Sequence, residues 1–192
     1  MQTIKNNTNS EIIIKNSRFI CYLYKIKDIN DTNNYLNNIK SIEKDATHYC
    51  YAYILNDTKK SSDDGEPSGT AGFPILKVLE YNDLNNILAI VIRYFGGIKL
   101  GAGGLVRAYT KSVTNTLSID NIINLTKGYN IDIEFNYNQI KDIDYLLKDI
   151  TINNKTFDNT IKYNIDIPIE FIDIIKLNNI NYHINKDILI EE

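Results

Sequence analysis

The sequence predicts an α+β protein of two domains. Strand-like and helix-like periods alternate through the first two thirds of the chain, and a separate β-α-β-β-α-β pattern fills the last third. At 192 residues the chain exceeds a typical domain of about 100 to 150 residues, and the expected division is residues 1–122 and 123–192.

The first strand is residues 18–26, rich in aromatic and branched side chains, continuing from Ile12-Ile-Ile14 after a bend at Asn16-Ser17. From Thr32, a candidate N-cap, Tyr35, Leu36, Ile39 and Ile42 recur at helical spacing. Residues 48–55 form the next strand, with His48, Cys50, Ala52 and Ile54 on one face and Tyr49, Tyr51 and Tyr53 on the other. Residues 74–81 and 87–95 read as further strands. The second is a nearly unbroken apolar run interrupted only by Arg93, as in a central strand covered on both faces.

Gly103-Gly104 open a helix whose Leu105, Val106, Tyr109, Val113 and Leu117 face the sheet, and which ends near Ser118. Residues 119–128 read as a linker. Then follow a strand over 129–137, a helix over 140–147, a strand pair within 150–167, a helix opened by Pro168 and a strand over 182–189. That order predicts a ferredoxin-like domain, two helices on one face of an antiparallel sheet.

A hydrophobic content of 43% with 23% charged residues is that of a folded chain, not a disordered one. No apolar stretch reaches the roughly 18 residues of a membrane span, and the polar start is not a signal peptide. The expected location is the cytoplasm, with no membrane partner. Cys21 and Cys50 lie in apolar runs as free thiols. A net charge of −3 lacks the global basic footprint of nucleic-acid binders, so such a role needs a local basic patch.

Two loops carry the candidate chemistry. The first, Ser61-Ser-Asp-Asp-Gly-Glu-Pro-Ser-Gly-Thr-Ala-Gly-Phe-Pro74, holds three carboxylates and three of the nine glycines. One reading is a binding loop: Gly65, Glu66, Ser68, Gly69, Thr70 and Gly72 hold a ligand, and Asp63, Asp64 or Glu66 binds a cation or acts as a base. The plain alternative is an acidic turn whose carboxylates cap neighbouring N–H groups. No metal and no cofactor is assigned. His48 and Cys50 share a strand face, but a buried strand Cys is ordinarily inert; His48 is a weak catalytic candidate at most.

The second loop is Arg93-Tyr-Phe-Gly-Gly-Ile-Lys-Leu-Gly-Ala-Gly-Gly-Leu-Val-Arg-Ala-Tyr109, a strand, a glycine loop and a helix start. Gly97, Gly101, Gly103 and Gly104 allow close backbone approach to an anion, the helix start presents unpaired N–H groups, and Arg93, Lys99, Arg107 and Lys111 add charge. The pattern is neither the dinucleotide fingerprint nor the nucleotide P-loop. The plain alternative is tight strand-to-helix packing with solvated cations.

Asp45-Ala-Thr-His-Tyr-Cys-Tyr-Ala-Tyr53, Ser62-Asp-Asp-Gly-Glu-Pro-Ser-Gly-Thr-Ala-Gly72 and Ile92-Arg-Tyr-Phe-Gly-Gly-Ile-Lys-Leu-Gly-Ala-Gly-Gly-Leu-Val-Arg-Ala-Tyr109, in that order, resemble the YigZ/IMPACT family. The resemblance spans residues 17–113. It implies a first domain with the fold of the second domain of a small-subunit ribosomal protein, and in bacterial members a ferredoxin-like second domain. It also implies a translation-associated role. Eukaryotic relatives act through a scaffold protein of the starvation-kinase pathway with the help of an extra N-terminal domain, for which this chain starts too close to its motifs. For bacterial members the implied partner is RNA or the ribosome, or a translation-related protein.

Three readings therefore stand. The first is a regulator of translation that binds RNA or the ribosome through the basic glycine segment. The second is a small-substrate enzyme using the acidic loop, with the glycine loop as anion site. The third is a protein-interaction module without a ligand; of the three, a non-enzyme is favoured.

Overall fold

The computed structural model describes residues 1–191. The chain divides into two compact units, Met1–Asn124 and Leu125–Glu192. In the first, strands β1 (Gln2–Ile4), β2 (Thr8–Ile14) and β3 (Ser17–Lys25) precede helix α1 (Ile29–Ile42). Strands β4 (His48–Leu55) and β5 (Thr58–Ser62), helix α2 (Gly72–Tyr81), strand β6 (Ile87–Tyr94) and helix α3 (Ala102–Thr116) follow.

The main sheet of this unit runs β2-β3-β6-β4-β5 and is antiparallel throughout. Period-2 alternation sends Phe19, Cys21, Cys50, Ala52, Ala89 and Val91 to one face, under Ile75 and Leu79 of α2 and Leu105, Tyr109 and Val113 of α3. Ile20, Tyr53, Leu88, Ile90 and Ile92 go to the other, against Ile39 of α1. The central strand β6 is thus covered on both faces, and each of its fully buried Ile and Leu side chains contributes about 1.5–3 kcal/mol.

Several expectations are corrected. Residues 74–81 are not a strand. Pro74, Ile75, Val78 and Leu79 are buried at helical spacing in α2, and Pro74 lies in its first turn, where a missing N–H breaks no helical bond. Helix α1 starts earlier than Thr32. Its N-cap is Asp28, which accepts from the Asn30 and Asp31 N–H groups in a capping box, while Thr32 is buried in the first turn. The segment expected as a linker is largely strand, because β7 (Ile122–Phe135) begins at Ile122 and pairs with β1 through its first three residues.

The rest of β7 opens the second unit, followed by α4 (Ile140–Leu146), β8 (Thr151–Phe157), β9 (Ile161–Pro168), α5 (Phe171–Leu177) and β10 (Asn181–Glu191). Pro168 closes β9 and does not open the helix. The connectivity is β-α-β-β-α-β, with antiparallel strand order β10-β7-β9-β8. Ile143, Leu147 and Ile175 pack with Ile131, Ile133, Ile165 and Ile167 in one core. Among the described residues no helix is long and apolar enough to cross a membrane.

Candidate functional site

The polar groups of the acidic loop are spent on the loop itself. One Asp63 oxygen accepts the Gly69 N–H at 2.8 Å; the other accepts the Ala71 and Gly72 N–H groups at 2.9 and 2.8 Å. Ala71 and Gly72 are the N-cap and first residue of α2, a helix with no cap side chain of its own. Asp63 therefore supplies from a distance the anion that the positive helix end favours. Burial acts to raise its pKa, but these three N–H donors outweigh it and hold the carboxyl below its ordinary value. Gly72 is required because a Cβ there would meet the Ser62 backbone nitrogen at 2.6 Å.

Asp64 accepts the Tyr49 N–H at 2.6 Å, and its carbonyl lies 2.8 Å from His48 Nδ1. A carbonyl only accepts, so Nδ1 carries the imidazole proton. Thr70 is buried and donates its hydroxyl to the Pro67 carbonyl at 2.6 Å. Gly65 and Gly69 sit at the loop's positive-φ turns, and Ser68 is exposed.

Glu66 turns inward. One of its oxygens accepts Arg93 Nη1 at 2.7 Å and the Tyr109 hydroxyl at 2.8 Å, and the other lies 3.9 Å from His48 Nε2. Arg93 also donates to Ser17 Oγ at 3.4 Å. The two charged side chains are 6% and 3% exposed, so removing either would leave a buried unpaired charge at a cost of about 3–5 kcal/mol. Cys50 donates its thiol to the Asp63 carbonyl at 2.9 Å, and burial pushes that thiol up to about 12, far from a nucleophile at neutral pH. Burial likewise pushes the Tyr109 phenol up.

These contacts correct two expectations. Arg93 is no phosphate contact, because it is buried and committed to Glu66. Asp63, Asp64 and Glu66 are not poised as base or metal ligands, being engaged as acceptors, and among the described residues no His, Cys, Asp and Glu cluster could hold a metal ion. The missed signal was present in the sequence: one charge inside an apolar central strand calls for a buried counter-ion.

The glycine segment is arranged in the opposite way. Residues 84–119 contain no Asp or Glu, and Lys99, Arg107 and Lys111 in that stretch are exposed and form no ion pair among the described residues. Gly97 and Gly101 adopt φ of 83° and 69°, and Gly96 packs so closely that a Cβ would lie 2.0 Å from the Asn16 carbonyl carbon. Helix α3 starts at N-cap Gly101 with no capping side chain and no acid in its first turn. The N–H groups of Ala102, Gly103 and Gly104, in the first turn, have no partner within the helix and no capping side chain among the described residues. Arg107 folds back over this turn, its Nη1 3.5 Å from where a Gly103 Cβ would stand. A cation held at the positive end of a helix is electrostatically unfavourable unless an anion joins them.

The Impact N-terminal domain model matches residues 15–117, a span that includes both loops. The IMPACT family member YvyE of Bacillus subtilis (strain 168) is 40% identical over 158 residues, covering 77% of this chain and 73% of its own. The IMPACT family member YigZ of Escherichia coli (strain K12) is 36% identical over 139 residues, covering 70% and 68%. A crystal structure described as that of a hypothetical protein aligns with a TM-score of 0.69 at 26% identity, covering 94% of this chain and 95% of that one.

Proposed function

The chain belongs to the IMPACT family through its Impact N-terminal domain, and on that premise we propose that it is a translation-associated regulator that binds RNA or the ribosome through the glycine loop and the start of α3. One observation carries the reading: the Arg107 side chain lies along the first turn of α3, a helix start with no capping side chain and no acidic residue in that turn. A phosphate supplies the missing charge and acceptor oxygens together. Lys99 and Lys111 extend the contact along the backbone of the nucleic acid.

Charge distribution supports the same surface. Residues 1–124 hold eleven Lys and three Arg against eight Asp and four Glu, a net +2. Residues 125–192 hold seven Lys against eight Asp and four Glu, a net −5. In the second unit a cavity of about 530 Å³ is lined by Asp149, Asp166 and Glu170 among others, a poor environment for phosphate. We therefore assign the RNA contact to the first unit.

The test is co-sedimentation with ribosomes, and binding to short RNAs, across a salt series. Binding should weaken as salt rises. The Arg107→Ala/Lys111→Ala variant should lower the slope of log K against log salt by about 1.4 on a single strand, two contacts at about 0.7 each. Absence of binding at low salt, or an unchanged slope, would sink the reading.

A further inference from the structure

We propose that the nucleic acid this segment takes is single-stranded RNA, one base of which stacks on Phe95. The inference rests on the phosphate-contact reading above and adds the class of ligand.

Phe95 directly follows β6 and keeps 49% of its surface exposed. Its backbone is nonetheless held at two successive N–H groups, and its ring has one charged neighbour. Its N–H bonds Thr47 Oγ1 at 3.2 Å, and the next N–H, that of Gly96, bonds Ser17 Oγ at 3.2 Å. The Arg93 guanidinium lies 5.4 Å from its ring centroid, and that guanidinium is itself buried and tied to Glu66 at 2.7 Å. The buried ion pair thereby acquires a use: it backs an exposed ring with a charge that cannot swing away. A preorganised ring loses little entropy when a second planar group lands on it.

Its surroundings select the ligand. Tyr81, Tyr145 and Phe157 are also exposed, but each has a carboxylate within two residues, Glu80 and Asp83, Asp144, and Asp158 respectively; Phe73 and Tyr137 are exposed without one, but lie outside the stretch 84–119 that carries Lys99, Arg107 and Lys111. Phe95 instead lies in the acid-free stretch, followed by exposed Ile98 and by Lys99. An aromatic platform beside cations is the arrangement that holds unpaired bases, since every base has a π-face to stack while charges track the backbone. In an RNA duplex the base faces are already stacked on one another and out of reach.

The experiment measures affinity for a short oligo-uridine and for an RNA duplex of equal length at low salt, using wild type, Phe95→Ala, Phe95→Tyr and Arg107→Ala/Lys111→Ala. Urea unfolding confirms that each variant is folded. The expected result is single-strand preference in wild type and about a tenfold loss on the single strand in Phe95→Ala. Duplex affinity should not change, and Phe95→Tyr should keep binding. An unchanged single-strand affinity in Phe95→Ala, with loss in the Arg107/Lys111 variant, overturns the platform and leaves the phosphate reading standing. Ribosome co-sedimentation is measured beside these, and a Phe95→Ala variant that loses ribosome binding alone overturns the platform in favour of a protein contact. If wild type binds neither RNA, both fail together.

Discussion

Helices α2 and α3 both begin without a capping side chain, yet their N-termini are treated in opposite ways. At α2 the carboxylate of Asp63 reaches back to the Ala71 and Gly72 N–H groups, and the helix end is satisfied from within. At α3 no acid occurs in the first turn, and a guanidinium crowds the same kind of positive end. Two glycine-rich loops that look equally functional as sequence are thus different objects. The acidic one is a structural clasp; the basic one has been left unneutralised. Composition alone does not distinguish a loop whose polar groups are satisfied from within from one whose charges are left unpaired, whereas the accounting of donors and acceptors does.

The comparison is broken most severely at the clasp. Glu66→Ala strands Arg93 in the interior and is expected to lower stability by about 3–5 kcal/mol in urea unfolding. A loss below about 1 kcal/mol would mean that the pair is far more hydrated than its burial implies.

Asp63→Ala comes next. Three N–H groups lose a charged acceptor, a cost of about 2 kcal/mol. Its sign with pH follows from the lowered pKa of the folded state. The contribution is complete above the unfolded value, near about 4, and is lost as pH falls through the folded value. Protection of the Gly69, Ala71 and Gly72 amides from hydrogen exchange should therefore decline in that acid window in wild type, and should be low at every pH in the variant.

Tyr109→Phe is milder. It removes one of the two donors on a Glu66 oxygen while Arg93 keeps the charge paired, and should cost about 1 kcal/mol by the same unfolding measurement.

Much of the fold was legible from local pattern. The period-2 runs of β3 and β4, the unbroken run of β6 and the helical spacing in α1 and α3 each reflect burial of a stripe or face set by nearby residues. The failures have equally local causes. Ile75, Val78 and Leu79 looked like strand because a short apolar segment carries little periodicity, and Pro74 argued against a helix unless placed in its first turn. Thr32 was a plausible cap, but Asp28 with Asp31 completes a reciprocal pair one turn earlier.

At the site, the exposed face of Arg107 and Lys111 could be placed from the sequence because helix phase assigns it, whereas Lys99 lies in the loop before α3. The Glu66–Arg93 and Asp63–α2 contacts could not, since they depend on tertiary closure of residues up to 27 apart. The platform proposed at Phe95 is not legible in the sequence for the same reason: Arg93, two residues before it, is held beside the ring by its pairing with the distant Glu66.

The smallest expected effect on stability belongs to the basic segment, and it gives the most direct test. Affinity for a short single-stranded RNA at low salt is measured for wild type and Arg107→Ala/Lys111→Ala, beside their urea unfolding curves. The account predicts stability unchanged within about 0.5 kcal/mol, as expected of exposed, unpaired side chains, together with a clear loss of RNA affinity. An unaltered affinity, or a loss of stability that explains the loss of binding, would contradict it.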